Sequence, residues 1–128
     1  MRWIISIALV AGLFVLPALA HHAARFNHDT TKVVTIKGTV ERVAWNNPHV
    51  WIWLSVKRDN GQVETQRVQI AAPGRLTKNG LSKDSLSYGD LVSIDAWPPT
   101  NGQSLPEGRT LTLADGRSFD VGDNWSER

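Results

Sequence analysis

Apolar positions change their spacing along the chain in a way that marks out elements before any chemistry is considered. Residues 3–16, WIISIALVAGLFVL, form a strongly apolar run without a charged residue. From residue 33 the pattern becomes that of β-structure, short runs with period-two alternation divided by Gly, Pro, Asn and Asp. In VVTIKGTVERVAW (33–45), Val34, Ile36 and Val40 share one parity, which then switches to Val43 and Trp45. A parity switch near the mid-strand Gly38 predicts a bulge or a sharp bend. HVWIWLSVK (49–57) alternates cleanly, with Val50, Ile52, Leu54 and Val56 on one face and Trp51, Trp53 and Ser55 on the other. Asn60-Gly61 predicts a hairpin turn, and VETQRVQIA (63–71) returns as the third strand.

The pattern changes over 72–90. Pro73 near a start and Gly80 as a stop predict a short helix around 73–79, and Tyr88-Gly89-Asp90 reads as the turn before the next strand. LVSIDAWP (91–98) is the fourth strand, with Val92, Ile94 and Ala96 inward. PTNGQSLPEG (99–108) reads as a loop. RTLTLADGRSFDV (109–121) is the fifth strand, with a turn at Asp115-Gly116 and a short return. The order predicts an all-β fold, an OB-like five-stranded small barrel with one short helix between strands 3 and 4. A plain β-sandwich competes, but it rarely needs a helix over 72–90.

The apolar run now acquires a meaning of its own. Met1-Arg2 supplies a positive start, Pro17 breaks the run, and Ala18-Leu19-Ala20 has small residues where a signal peptidase reads them. The run is short of the about 20 residues that a membrane-spanning helix needs. The expected organisation is a signal peptide (1–20), an N-terminal arm (21–32), the barrel (33–121) and a tail (122–128). Cleavage after Ala20 would begin the mature chain at His21, in the periplasm, with no stable membrane span. The chain carries 14 basic and 12 acidic side chains, and Arg2 leaves with the signal. Near-neutral charge without a basic stripe argues against nucleic acid as a partner, since phosphate neutralisation supplies most of that affinity. There is no cysteine, so no disulfide framework; stability must come from a core.

The four histidines are His21, His22, His28 and His49, none on an apolar strand face. An N-terminal His21 would offer its α-amine and its ring nitrogen to one ion, and the amine's pKa of about 7.7–8.0 lets a metal displace its proton. A third nitrogen from His49 or His22 completes a set suited to Cu(II), then Ni or Zn. Copper, or another transition-metal ion, held by His21, His22 and His49 is therefore one expectation. The competing reading makes the histidine pair a polar start and has His49 cap a turn, with Asn46 or Asn47 taking its ring proton.

Trp51 and Trp53 lie opposite the aliphatic stripe. On an OB-like barrel they would form a groove for a glycan, peptide or protein partner. Equally, they could pack under the arm or the 99–108 loop. Glu41, Glu64, Asp84, Asp90 and Asp95 are scattered, and Asp84 and Asp90 read as cap and turn residues. No carboxylate pair, nucleophile elbow, phosphate loop, dinucleotide fingerprint or HExxH helix is present. The expectation is a binding or accessory module, not an enzyme.

Four segments carry a family resemblance: ALAHH, TIKGTVERVAWNNPHVWIWL, APGRLTKNGLSKDSLSYGDLVSIDAWP and LTLADGR. Together they resemble the uncharacterised DUF6152 family of small exported bacterial proteins. The resemblance implies a compartment and a fold more than an activity. Ala23 stands where that pattern has a serine, and His28 is additional.

Overall fold

The structure, a computed structural model of the chain, describes residues 27–101 and 105–123. The clean alternation in the second run becomes β2 (Val50–Lys57), whose Val50, Ile52, Leu54 and Val56 are all buried. Burying one parity of a strand fixes its register, because a one-residue slip would turn every aliphatic side chain to water. β2 pairs antiparallel with β1 (Val34–Ala44) on one side and β3 (Val63–Ile70) on the other, across the Asn60-Gly61 turn. β4 (Leu91–Trp97) pairs with the first half of β1, and β5 (Glu107–Leu113) pairs with β4. A single parallel pairing, Gln69↔Glu107, joins β3 to β5. The result is a closed five-strand barrel, with the short β6 (Ser118–Asp120) added outside β5.

The core is the inward parity of these strands, including Ile36, Ile52, Leu54, Val68, Ile94 and Leu111. At one end it is closed by α1 (Pro73–Lys78), the one α-helix expected between strands 3 and 4. Pro73 opens the helix, where its missing N–H costs nothing. Leu76 and Leu81 are fully buried beneath it with Val121. Arg75 ties the helix to the segment after β6 by donating from Nε to the Gly122 carbonyl at 2.6 Å.

Two expectations are refined. The parity switch in β1 comes from a bulge: the register slips between Val40 and Arg42, leaving Glu41 without a partner on β2. Gly38 serves a different need, since a Cβ there would lie 2.5 Å from the Ser55 carbonyl oxygen. β5 also starts earlier than its pattern suggested, because Glu107 and Gly108 belong to the strand. Gly108 reads as loop but sits where a Cβ would meet Ile70 at 2.8 Å and Ile94 at 3.0 Å. The barrel core leaves no room there for a side chain.

The root of the N-terminal arm is tied to the β4–β5 connection. Asp29 donates its N–H to Pro98 O (2.9 Å), Thr100 donates to Asn27 O (2.8 Å), and His28 bridges Pro99. Among the described residues, no helix is long and apolar enough to cross a membrane.

Candidate functional site

The outward parity of β1, β2 and β3 carries two rows set by strand register. One row is Arg42–Trp53–Arg67 and the next is Ala44–Trp51–Gln69. The bulge at Glu41 decides the first row. Continued without it from Val40↔Leu54, the register would set the Glu41 carboxylate opposite Trp53; the extra residue puts a guanidinium there instead. Arg42 lies 4.6 Å from the Trp53 ring centroid, while Arg67 lies 4.6 Å from Trp51 and 5.7 Å from Trp53. Cations and indoles thus alternate across the face. Each exposed contact of this kind is worth about 0.5–1 kcal/mol, and together they bias the two arginine side chains toward the rings.

Both arginines are exposed and both tryptophans half-buried. The tryptophans are therefore neither a bare stacking platform nor core residues: guanidiniums lie over their rings. No carboxylate among the described residues lies within ion-pair distance of Arg42 or Arg67. The nearby Glu41 accepts instead from the Thr65 hydroxyl at 3.0 Å. Two charged fork-shaped donors are therefore presented with their hydrogen-bonding edges free for an anion.

The second row continues around the barrel through the closing pair, from Gln69 to Glu107 and on to Trp97. Here the outer surface is different. Glu107 faces outward by register yet is only 3% exposed. His28, from the arm, places Nδ1 3.5 Å from Glu107 Oε2 and Nε2 2.6 Å from the Leu105 carbonyl oxygen, to which it donates. Arg109 lies 5.0 Å from the Trp97 ring centroid, and the buried Trp97 Nε1 has no hydrogen-bond partner among the described residues. Sequence reasoning missed Glu107, hidden in a Pro- and Gly-rich stretch, and it counted His28 only as a spare histidine. No local signal in the sequence joins the two.

His49 sits just before β2, and its Nε2 lies 3.0 Å from Asp123 Oδ2. The ring's partner is this carboxylate after β6, not Asn46 or Asn47. His21 and His22 lie outside the described residues. Among the described residues no three His, Cys, Asp or Glu side chains gather in a metal-binding group. At the arm root the Thr31 hydroxyl, then Lys32, hold the Asp29 carboxyl down at about 2.

A groove of about 510 Å³ opens between the start of β1 and the start of β3. Val34, Ile36, Val56 and Leu105 supply its apolar lining, and Lys37, Arg58 and Arg67 its cations. Among the described residues Glu64 is the one acid lining it, and it is paired with Arg58.

These features define a small closed β-barrel with a tied-down arm on one outer face and an open arginine–tryptophan face on another. The chain belongs to a family of unknown function, DUF6152, whose model matches residues 9–107. No curated protein matches it.

Proposed function

We propose that this protein is an exported, periplasmic, non-catalytic binding module that docks an acidic segment of a partner protein on the Arg42–Trp53–Arg67–Trp51 face. One observation carries the reading: two exposed guanidiniums lie over indoles while no carboxylate among the described residues is within ion-pair distance of them. Arginine and tryptophan are the residue types that concentrate binding energy at protein interfaces. A pre-ordered arginine loses less entropy on binding than a free one. The guanidiniums over the rings favour a carboxylate-bearing protein segment over a sugar stacked on bare indole. The test is an NMR titration with a glutamate-rich peptide. Saturable shifts of the Trp51 and Trp53 indole N–H signals, lost in Arg42→Glu/Arg67→Glu, support the reading. An unresponsive face, or one that answers only to an acidic glycan, overturns it.

A second reading is a copper site made by His21, His22 and His49. It is supported by the His49–Asp123 contact, which engages Nε2 and leaves Nδ1 for an ion. A carboxylate on the far ring nitrogen is the usual way a metal-bound histidine is oriented. Cu(II) titration with EPR tests it, on protein beginning at His21 and on a version with one alanine added ahead. Nitrogen hyperfine structure lost on adding the alanine, and weakened by His49→Ala, supports this site. Equal weak binding in all three removes it.

A further inference from the structure

We infer that the partner segment binds as an extended strand added to the open edge of β3, with alternate side chains in the neighbouring groove and on the arginine–tryptophan face. This rests on the reading of that face as an acidic-partner site and names how the partner lies on it.

β3 is fully paired with β2 on one side. On its other side it meets β5 at Gln69 alone, where Gln69 donates its N–H to the Pro106 carbonyl at 3.1 Å. Backbone groups alternate sides along a strand. Arg67, Thr65 and Val63, sharing the parity of Gln69, therefore turn their N–H and C=O groups to that same side. Among the described residues none of the three has a backbone bond to the 98–106 connection. That leaves a five-residue edge about 16 Å long, at roughly 3.3 Å per residue.

An incoming strand would find two different environments along this edge. Side chains of inward parity would enter the groove of about 510 Å³, with its apolar lining of Val34, Ile36, Val56 and Leu105. Side chains of outward parity would lie beside Arg67, whose guanidinium is already stacked on Trp51. Lys37 adds positive charge, Arg58 and Glu64 pair with each other, and Glu41 is engaged by the Thr65 hydroxyl. The occupant with complementary charge and period is a peptide that alternates apolar and acidic residues. Main-chain bonds would give it affinity and the alternate pockets its specificity.

The test uses protein purified from the periplasmic fraction of cells expressing the whole chain. The probe is a fluorescein-labelled peptide, acetyl-Glu-Val-Glu-Val-Glu-Val-amide. Two controls carry N-methyl groups on alternate residues, one for each edge of the peptide. Binding is read by anisotropy, and hydrogen exchange of the Thr65 and Arg67 amides by NMR. Strand addition predicts that the peptide slows exchange at both amides by about tenfold or more. It also predicts that one N-methylated control binds about tenfold more weakly than the other. Thr65→Pro, which removes the central edge donor, should weaken binding similarly; the N-methyl comparison decides the matter if that variant does not fold. Binding that shifts the Trp51 and Trp53 indoles, with unchanged exchange and no preference between the controls, overturns strand addition and leaves the face reading standing. Absence of binding overturns both. Protection at Thr65 and Arg67 that appears without peptide and grows with protein concentration assigns the edge to a second copy and overturns the proposal.

Discussion

On the β1–β2–β3 side of the barrel, Arg42 and Arg67 lie against Trp53 and Trp51 with their guanidinium edges in solvent. On the β4–β5 side, Arg109 lies against Trp97, and the neighbouring Glu107 is buried with His28 from the arm beside it. The same residue types appear on both sides, and one row of the sheet, Trp51–Gln69–Glu107–Trp97, runs through both. What separates them is the chain's own arm. Where it crosses the sheet, a carboxylate and a histidine meet each other and the outer face joins the protein's interior. On the β1–β2–β3 face, Arg42 and Arg67 point outward with no carboxylate among the described residues within ion-pair distance. A polar cluster on a barrel exterior can thus be structure or binding surface, and the partners it already has decide which.

The largest expected effect on stability tests this division. Glu107→Ala removes a buried carboxyl group together with its contact to the His28 ring. Leaving a buried polar group without its partner typically costs about 1–3 kcal/mol, and more for a charged one. Arg67→Ala removes an exposed cation and its ring contacts, costing about 1 kcal/mol or less. Urea denaturation of the two variants measures both. Equal losses would mean that the arm does not seal its side.

Affinity should show the reverse order. Arg42→Glu/Arg67→Glu reverses two charges on the open face, and loss of a close charge pair at an interface costs about 2–5 kcal/mol. Binding of the Glu-Val peptide should fall by about a hundredfold or more, since 1.4 kcal/mol is tenfold. Arg109→Glu, at an exposed arginine over Trp97 on the β4–β5 side and away from the Arg42–Trp53–Arg67 row, should leave the affinity within about threefold, roughly half of that step. An Arg109 variant that binds as poorly as the double variant would place the partner on the wrong face in our account.

How much of this could be read from the sequence differs between the two sides for a physical reason. The inward stripe of β2 was legible because burial on one face imposes period two, and the helix at Pro73–Lys78 because proline and glycine punctuate it. Trp51 and Trp53 were placed on the outer face by the same alternation. Arg42 was not singled out, because it faces Trp53 only through the bulge at Glu41, and a bulge moves the register without announcing which side chain it aligns. Arg67 needed the β2–β3 register, which the turn sets only after the strands pair. Glu107 and His28 were illegible as a pair. Their contact depends on the arm folding back on residues 98–100, a long-range event with no local periodicity. The turn residue Asp90, by contrast, was readable, and its carboxylate does accept from the Ser87 N–H.

Salt offers a smaller effect that also separates the sides. Raising sodium chloride from 0.15 to 1 M shrinks the Debye length from about 8 Å to about 3 Å. Peptide binding on the exposed arginines should weaken by about tenfold, one decade being 1.4 kcal/mol. The folding midpoint in urea should move little, because the buried His28–Glu107 contact is shielded from ions. A salt-insensitive affinity would mean that the groove, and not the cations, dominates recognition.

The smallest effect lies at the arm root. The Thr31 hydroxyl, donating at 2.5 Å, and then Lys32 at 3.0 Å hold the Asp29 carboxyl at about 2, against an ordinary value of 3.8. A group whose folded pKa is depressed contributes stability above its unfolded value and loses it as pH falls through the folded one. The contribution of Asp29 is therefore complete above pH 3.8 and disappears as pH falls toward 2. The same residue donates its N–H to Pro98, so acid should loosen the arm where it joins the β4–β5 connection before the barrel opens. NMR chemical shifts of the Asp29 and Thr31 amides should titrate together with a midpoint near 2, while amides in the middle of β2 stay still. Asp29→Asn should abolish that titration and leave the arginine–tryptophan face unchanged. A midpoint near 4 would mean that Thr31 and Lys32 do not hold the carboxylate, and the sealed side would then owe its closure to His28 and Glu107 alone.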